Sequence, residues 1–256
     1  MIDAVNYICV FLMGIITGSF LNVCVYRIPL GQSIIKSPSH CTHCGTRIKY
    51  YDLIPLLSYI ILLGRCRSCK TKINLRYPLV ELVNGLGFVY LYLFYGLSIT
   101  FVFSLMLLST LIVVSLIDFE HTVIPDGIII FLLVTGILYN IAMFSLPFTV
   151  SNIIGFFAAS VPLLIMAVAT NGGMGGGDIK LMAVCGLFTG WQNIIFAMFT
   201  GAVLAGIGVL IRLIIKGKKE KTIPFGPFLS MGVMIGMLYG ESMIEWYLRL
   251  TLGDAF

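Results

Sequence analysis

Apolar and polar positions fall in long blocks along this chain. Runs of roughly 17–25 mostly apolar residues are long enough to cross a hydrocarbon core. Such runs cover residues 4–26, 79–95, 98–117, 127–146, 149–169, 194–215 and 225–248, and a shorter one covers 179–191. The pattern predicts an all-α polytopic membrane protein with about eight transmembrane helices, the sixth of them short. The last run reads as one helix or as a helix with an interfacial extension. Residues 1–26 form the first span, 27–78 a polar loop, and 79–256 a helical membrane bundle.

Composition supports this. The 256 residues are 59% hydrophobic and 11% charged, with mean hydropathy +1.04. Soluble domains carry about 25% charged residues. The N-terminal MIDAVNY has no basic segment before the apolar run, and no small-residue cleavage site follows it. A retained anchor is expected rather than a signal peptide. No internal repeat stands out.

Charge gives an orientation. Nine of the sixteen Lys and Arg lie between Arg27 and Arg76, and Lys216, Lys218, Lys219 and Lys221 crowd the last inter-span loop. Basic loops stay in the cytoplasm. Eight spans with the N-terminus outside put both loops there, together with 118–126 and 170–180, and leave Arg249 on the outer side. The net charge of +5 therefore follows from membrane topology, and no nucleic-acid partner is expected.

The polar loop holds CTHC (41–44) and CRSC (66–69), with 21 residues between the pairs. Two such knuckles resemble a zinc ribbon, with Cys41, Cys44, Cys66 and Cys69 as ligands. Two disulfides are the alternative, disfavoured in a reducing cytosol. A Cys₄ shell leaves no open position for water, so the metal is expected to be structural. His40 and His43 lie beside the first pair and are left out of the ligand set. Cys9, Cys24 and Cys185 read as small buried hydrophobes. Between the knuckles, LIPLLSYIILL (53–63) is too short to span and is expected to pack the loop against the bilayer surface.

Ionised groups at membrane depth cost several kcal/mol, so acids there point to function. Glu81, Asp118, Asp126 and Asp178 stand at the cytoplasmic ends of apolar runs. Asp118 follows LIVVSLI, and Asp178 follows five glycines in NGGMGGGDIK (171–180). Helices three and six can thus present two carboxyls to each other. Two carboxyls about 3 Å apart share one proton and can hydrolyse a peptide bond. Glycines with free backbone conformations let an extended peptide approach closely. The run is not a P-loop, because GxxxxGK[ST] is absent. The plainer reading is a connector whose Asp178 caps the next helix.

GSFLNVCVYRIP (18–29), the two CxxC pairs, RYPLVEL (76–82), DFEHTVIPD (118–126) and GMGGGDIKL (173–181) run in the order found in one family. Through them the chain resembles the type IV prepilin peptidases, bifunctional leader peptidases and N-methyltransferases of bacterial plasma membranes. The resemblance implies a GxGD-type aspartic membrane protease, with Asp118 and Asp178 as the catalytic pair and Asp126 as the alternative member. It implies type IV prepilins or pseudopilins as substrates, cleaved after a glycine at the cytoplasmic membrane face of the inner membrane. It also implies methylation of the new N-terminus by S-adenosylmethionine. Asn22, Arg27 and Glu81 beside the zinc loop are the implied methyl-donor residues. Their plain readings are an interhelical hydrogen bond for Asn22 and a snorkelling cation for Arg27. His121 reads as interfacial, and Lys180 as a contact for substrate or lipid headgroups. A protease-only member and a zinc-ribbon binding or transport protein remain the alternatives.

Overall fold

The computed structural model describes residues 2–36, 38–216 and 224–252. Lys218, Lys219 and Lys221 lie outside the described residues, as does the Lys216 side chain. The described chain is all-helical. In order come α1 (Ile2–Arg27), a 3₁₀ turn (Tyr50–Leu53), α2 (Leu57–Ile61), α3 (Arg76–Tyr95) and α4 (Ile99–His121). They are followed by α5 (Asp126–Ala142), α6 (Leu146–Ala169), α7 (Gly176–Lys216) and α8 (Gly226–Leu252). Among the described residues there is no strand; two isolated bridges, His40 with Arg47 and Arg65 with Lys72, are the only β pairing. Six helices are long and apolar enough to cross a membrane, and α5 is a shorter apolar helix. The protein is a multi-pass membrane protein.

The helix ends depart from the apolar blocks in ways that hydropathy does not show. The third apolar run stops at Ile117, yet α4 continues one more turn to His121, so Asp118 lies inside the helix and not beyond its end. The expected break between 191 and 194 is instead at Gly190, whose φ of 76° and ψ of 171° are non-helical within α7. A left-handed φ is cheap only for glycine. An unbroken helix of 41 residues would be about 60 Å long, twice a hydrocarbon core. α5 ends at Ala142, four residues before its apolar run does, and α6 starts three residues early, at Leu146, with a proline in its first turn. Proline suits that position because its missing N–H is unneeded there. The glycine run is only partly loop: Gly176 and Gly177 already belong to α7.

The chain forms two compact units, residues 1–113 and 114–256, with the boundary inside α4. In the first unit α1 packs on α3 through glycines. A Cβ on Gly14 would lie 2.7 Å from Gly85 Cα, and one on Gly18 would lie 2.7 Å from Glu81 Cα. Polar side chains fasten this crossing: Asn84 Nδ2 donates to Gly14 O at 2.7 Å, Ser109 Oγ to Asn84 Oδ1 at 3.1 Å, and Asn22 Nδ2 to Tyr77 O at 3.1 Å. Small residues and buried amides are the usual adhesives between membrane helices, where lipid offers no hydrophobic drive.

The second unit repeats the device. Gly155 and Gly186 bring α6 against α7, and Gly232 and Gly236 bring α8 against α7 near Ala197. Asn140 Nδ2 donates to Gly136 O and to Leu187 O, both at 2.8 Å, and Asn152 Nδ2 donates to Asn140 Oδ1 at 3.0 Å, so two amides tie α5, α6 and α7 together.

A Cβ on Gly186 would overlap the Gly155 backbone, whereas Gly127 faces open space. Gly186→Ala is expected to destabilise the second unit by about 1–3 kcal/mol, the range for forced overpacking, and Gly127→Ala to leave it unchanged. Thermal unfolding in detergent, followed by tryptophan fluorescence, distinguishes the two; equal midpoints would refute the close crossing.

Candidate active site and cysteine cluster

Asp118 occupies the last turn of α4 and is 6% exposed. Its Oδ2 accepts the backbone N–H of Gly226 at 2.8 Å. Gly226 is the first residue of α8, so its N–H has no partner within its own helix and turns toward the carboxyl. The positive end of the helix dipole favours an acid there. A Cβ on Gly226 would sit 2.8 Å from Asp118 Oδ2, so the position leaves no space for a side chain.

Asp178 is half-buried in the first turn of α7, its N–H donating to Gly175 O at 3.2 Å. Its carboxyl lies within electrostatic reach of Asp118. A Cβ on Gly175 would lie 3.0 Å from Asp178 Oδ2, and one on Gly177 would lie 3.0 Å from Ile124 Cβ. The glycine run therefore serves close approach: it lets the 118–126 segment and the start of α7 meet. Thr122, with φ 54°, ends α4, and its N–H donates to Asp118 O at 2.8 Å.

Asp126 has different surroundings. It opens α5, and its Oδ1 accepts from Lys180 Nζ at 2.7 Å, with the two side chains 70% and 56% exposed. Lys180, read from sequence as a substrate or headgroup contact, thus has an acid partner within the chain. His121 is exposed at the end of α4. Gly226 and Ile124 were missed by sequence reasoning. The only signal for Gly226 was the Pro-Phe-Gly-Pro string (224–227) at the head of an apolar run.

In the polar loop, the four Sγ atoms of Cys41, Cys44, Cys66 and Cys69 lie within 4.8 Å of one another, and none forms a disulfide. Cys41 Sγ and Cys69 Sγ are 3.9 Å apart. A tetrahedron with zinc–sulfur bonds of about 2.3 Å has edges of about 3.8 Å, so the cluster fits that ion. The two knuckles are built alike. Cys41 N–H donates to Thr46 O and Gly45 N–H to Cys41 O, while Cys66 N–H donates to Thr71 O and Lys70 N–H to Cys66 O. Gly45 and Lys70, each after a second cysteine, both take positive φ.

The sequences CTHCGTRI (41–48) and CRSCKTKI (66–73) share the pattern C-x-x-C-x-T-x-I, a short internal repeat that the sequence reading missed. Thr46 Oγ1 is 3.3 Å from Cys44 Sγ, and Thr71 Oγ1 is 3.4 Å from Cys69 Sγ. The Thr71 hydroxyl and backbone N–H pull the Cys69 thiol down to about 6, and Thr46 lowers Cys44 in the same way. The thiolate, the ligand form, is thereby favoured at Cys44 and Cys69. His40 and His43 are not part of the cluster; His40 Nδ1 lies 3.4 Å from Pro38 O.

The remaining sequence candidates lie in the first unit. Glu81 is buried, accepts the Leu56 N–H at Oε2 at 2.8 Å and bonds the Ser19 hydroxyl. Among the described residues it forms no ion pair. Asn22 Oδ1 is buried without a hydrogen-bond partner. Arg27 is buried too, but its guanidinium donates to the carbonyls of Ser33, Ile34 and Pro38, so it folds the chain that leaves α1.

Residues 12–95 match the Bacterial Peptidase A24 N-terminal domain, and residues 105–210 match the Type IV leader peptidase family. The chain is 34% identical over 245 residues to a prepilin leader peptidase/N-methyltransferase of Bacillus subtilis, covering 95% of this chain and 98% of that one. Proteins of the same name from Stutzerimonas stutzeri and Pseudomonas aeruginosa are 32% and 33% identical over 277 residues, covering 95% of this chain and 94% of each relative. The chain belongs to the type IV leader peptidase family. No solved structure matches it significantly. Asp118 and Asp178 fall within the Type IV leader peptidase match, and the cysteine loop falls within the N-terminal one.

As a leader peptidase family member with Gly226 against Asp118, the protein is expected to lose most peptidase turnover on Gly226→Ala, beyond what any fall in the thermal midpoint explains. Gly206→Ala, in open space on α7, serves as the control. Unaltered turnover in Gly226→Ala would show that Asp118 tolerates a side chain at this position.

Proposed function

We propose that the protein is an aspartic endopeptidase that removes the leader of type IV prepilins or pseudopilins at the cytoplasmic membrane face. We further propose that it methylates the new N-terminus. The observation that supports the peptidase reading is that two acids from separate membrane helices, Asp118 of α4 and Asp178 of α7, lie within electrostatic reach of each other. With Asp118 Oδ2 taken by Gly226, Oδ1 is left for a water molecule. Asp118 removes a proton from that water as its oxygen attacks the scissile carbonyl, and Asp178 gives a proton to the carbonyl oxygen. Collapse of the tetrahedral adduct breaks the C–N bond: the departing amine takes the proton held by Asp118, and one hydroxyl of the adduct returns a proton to Asp178. Asp126 stays outside this pair because it is exposed and neutralised by Lys180.

An eight-span topology with the N-terminus outside is supported by the break at Gly190, which divides α7 into 176–189 and 191–216, and by the basic 28–75 loop. That topology puts both acids on the cytoplasmic side, where a basic leader would remain. The cysteine cluster would hold a structural zinc ion with all four positions filled by sulfur.

S-adenosylmethionine, when bound, supplies an electrophilic methyl group. The residues suited to it are Glu81, a buried carboxylate with no cation of its own, and Asn22, whose Oδ1 lacks a donor. Buried charge and orphaned acceptors call for such a partner. Glu81 would balance an ammonium or sulfonium, and a partly dry site would favour the neutral amine of the substrate. Arg27 is committed to backbone carbonyls and is better read as a loop anchor.

Asp118→Asn and Asp178→Asn are each expected to lower leader removal by about 10²–10⁴-fold, the scale of lost general acid–base catalysis. Asp126→Asn should retain it. Mass spectrometry of a co-expressed prepilin reports the outcome, and normal processing by either dyad variant would dismiss the mechanism. The same spectra show whether the shortened product gains a methyl group; Glu81→Gln should remove that methyl while sparing cleavage. A shortened, unmethylated product from the parent enzyme would identify a protease-only member, and an intact leader would favour a binding or transport protein.

Cys41→Ser should release the zinc measured in purified protein. A chelator should impair cleavage less than either dyad substitution, and immediate, equal loss with the fold intact would contradict a structural metal.

A further inference from the structure

The segment between the two knuckles is unlike an ordinary loop. Leu57, Ile60, Ile61 and Leu63 are 50–84% exposed, although polar side chains are the norm on a connection that faces water. Its depth is fixed by one hydrogen bond. Leu56 N–H reaches Glu81 Oε2 at 2.8 Å, and Glu81 is five residues into α3, about 7.5 Å from its first residue at 1.5 Å per residue. At that level α3 already presents the exposed apolar side chains of Leu79, Leu82 and Val83.

The backbone is prepared for the same environment. Leu56 N–H is taken by Glu81, and those of Ser58, Ile60, Leu62, Leu63 and Gly64 donate to carbonyls within residues 54–60. Internal satisfaction of N–H groups is the condition for placing backbone near hydrocarbon. Around this apolar tip the charge has one sign. Residues 28–75 carry seven Lys and Arg against one acid, Asp52, and Asp52 is spent on Arg67 at 2.6 Å. Arg47, Arg65, Lys70 and Lys72 are exposed, and among the described residues they have no anionic partner. Tyr51 lies beneath Lys49 and Arg67, an amphipathic ring suited to a headgroup layer.

We propose that residues 53–63 form a wedge embedded among the acyl chains of the leaflet that borders the N-terminal end of α3, with Arg47, Arg65, Lys70 and Lys72 binding the phosphates of anionic phospholipids. Interfacial elements of this kind bury an apolar face about 5–10 Å deep, which matches the level of Glu81. Basic residues beside an anionic leaflet are drawn to its surface potential. The cysteine cluster is thereby seated on the membrane surface from below by lipid as well as by α1 and α3. This inference does not depend on the peptidase or methyl-transfer chemistry.

The test uses the full chain in lipid nanodiscs. Ile60→Trp is placed in a Trp191→Phe, Trp246→Phe background, with Leu86→Trp on α3 as a membrane-buried control. Brominated phosphatidylcholine should quench most of the Ile60→Trp emission, as it does the control, and the emission should be blue-shifted. Quenching of the control alone would overturn the wedge. Blue-shifted emission from Ile60→Trp only after a prepilin is added would also overturn it, because the face would then be a substrate dock. For the basic rim, Arg65→Gln/Lys70→Gln/Lys72→Gln should retain several-fold less phosphatidylglycerol per protein than the parent, measured by mass spectrometry after extraction from mixed-lipid membranes. Equal retention would overturn the phosphate-binding part, and this readout requires no Trp substitution.

Discussion

A carboxyl buried inside a membrane helix must find donors or lose its charge, and Asp118 finds one in a helix 108 residues further along the chain. Everything proposed for the active site depends on that hydrogen bond from Gly226. It sets which oxygen of Asp118 is occupied, it forbids a side chain at the start of α8, and it fixes the acid in the last turn of α4. Asp178 then needs only to reach the same place from α7, which the small residues before it allow. Neither helix could bring its acid in with a Cβ at Gly226 or Gly177.

The two units solve the problem of adhesion in lipid by the same means. Glycines permit backbone contact, and a few amides or hydroxyls across the contact give it direction. Such contacts are rigid because there is little side-chain volume to rearrange. Rigidity at the crossings matters for the proposed chemistry, since a displacement of about 1 Å between the acids and a scissile bond costs on the order of 10²-fold in rate. The cysteine loop needs a different solution. Its large apolar residues lie exposed in 53–63 rather than packed together, so four sulfurs, the Arg67–Asp52 pair and the Glu81 anchor substitute for a core.

Much of this was legible in the residue pattern because lipid imposes strict rules. Apolar runs of fixed length revealed the helices, and acids at the ends of such runs singled out Asp118 and Asp178 as candidates. Paired cysteines revealed the cluster. What stayed hidden was set by backbone geometry and by distant contacts. Hydropathy ends with Ile117, but hydrogen bonding carries α4 a turn further, because a helix needs no apolar side chains once it reaches the interface. The break at Gly190 was misplaced because Gln192 and Asn193 look like a polar interruption, whereas the glycine alone can adopt the required angles. Thr46 and Thr71 were invisible as thiol partners because their role depends on a turn conformation rather than on any residue beside a cysteine being polar. Asn22, Arg27 and Glu81 were grouped by family motif; their environments differ, and only two of them have unmet bonding capacity.

The duplicated knuckle has a consequence for how the loop assembles. Each eight-residue copy offers two sulfurs in an equivalent turn, so either copy could be the first to capture an ion. Assembly would then have two entry routes with a common end point, the second copy closing the remaining two positions. Because neither copy offers four sulfurs alone, a metal held by one copy would keep exchangeable ligands until the other closed over it.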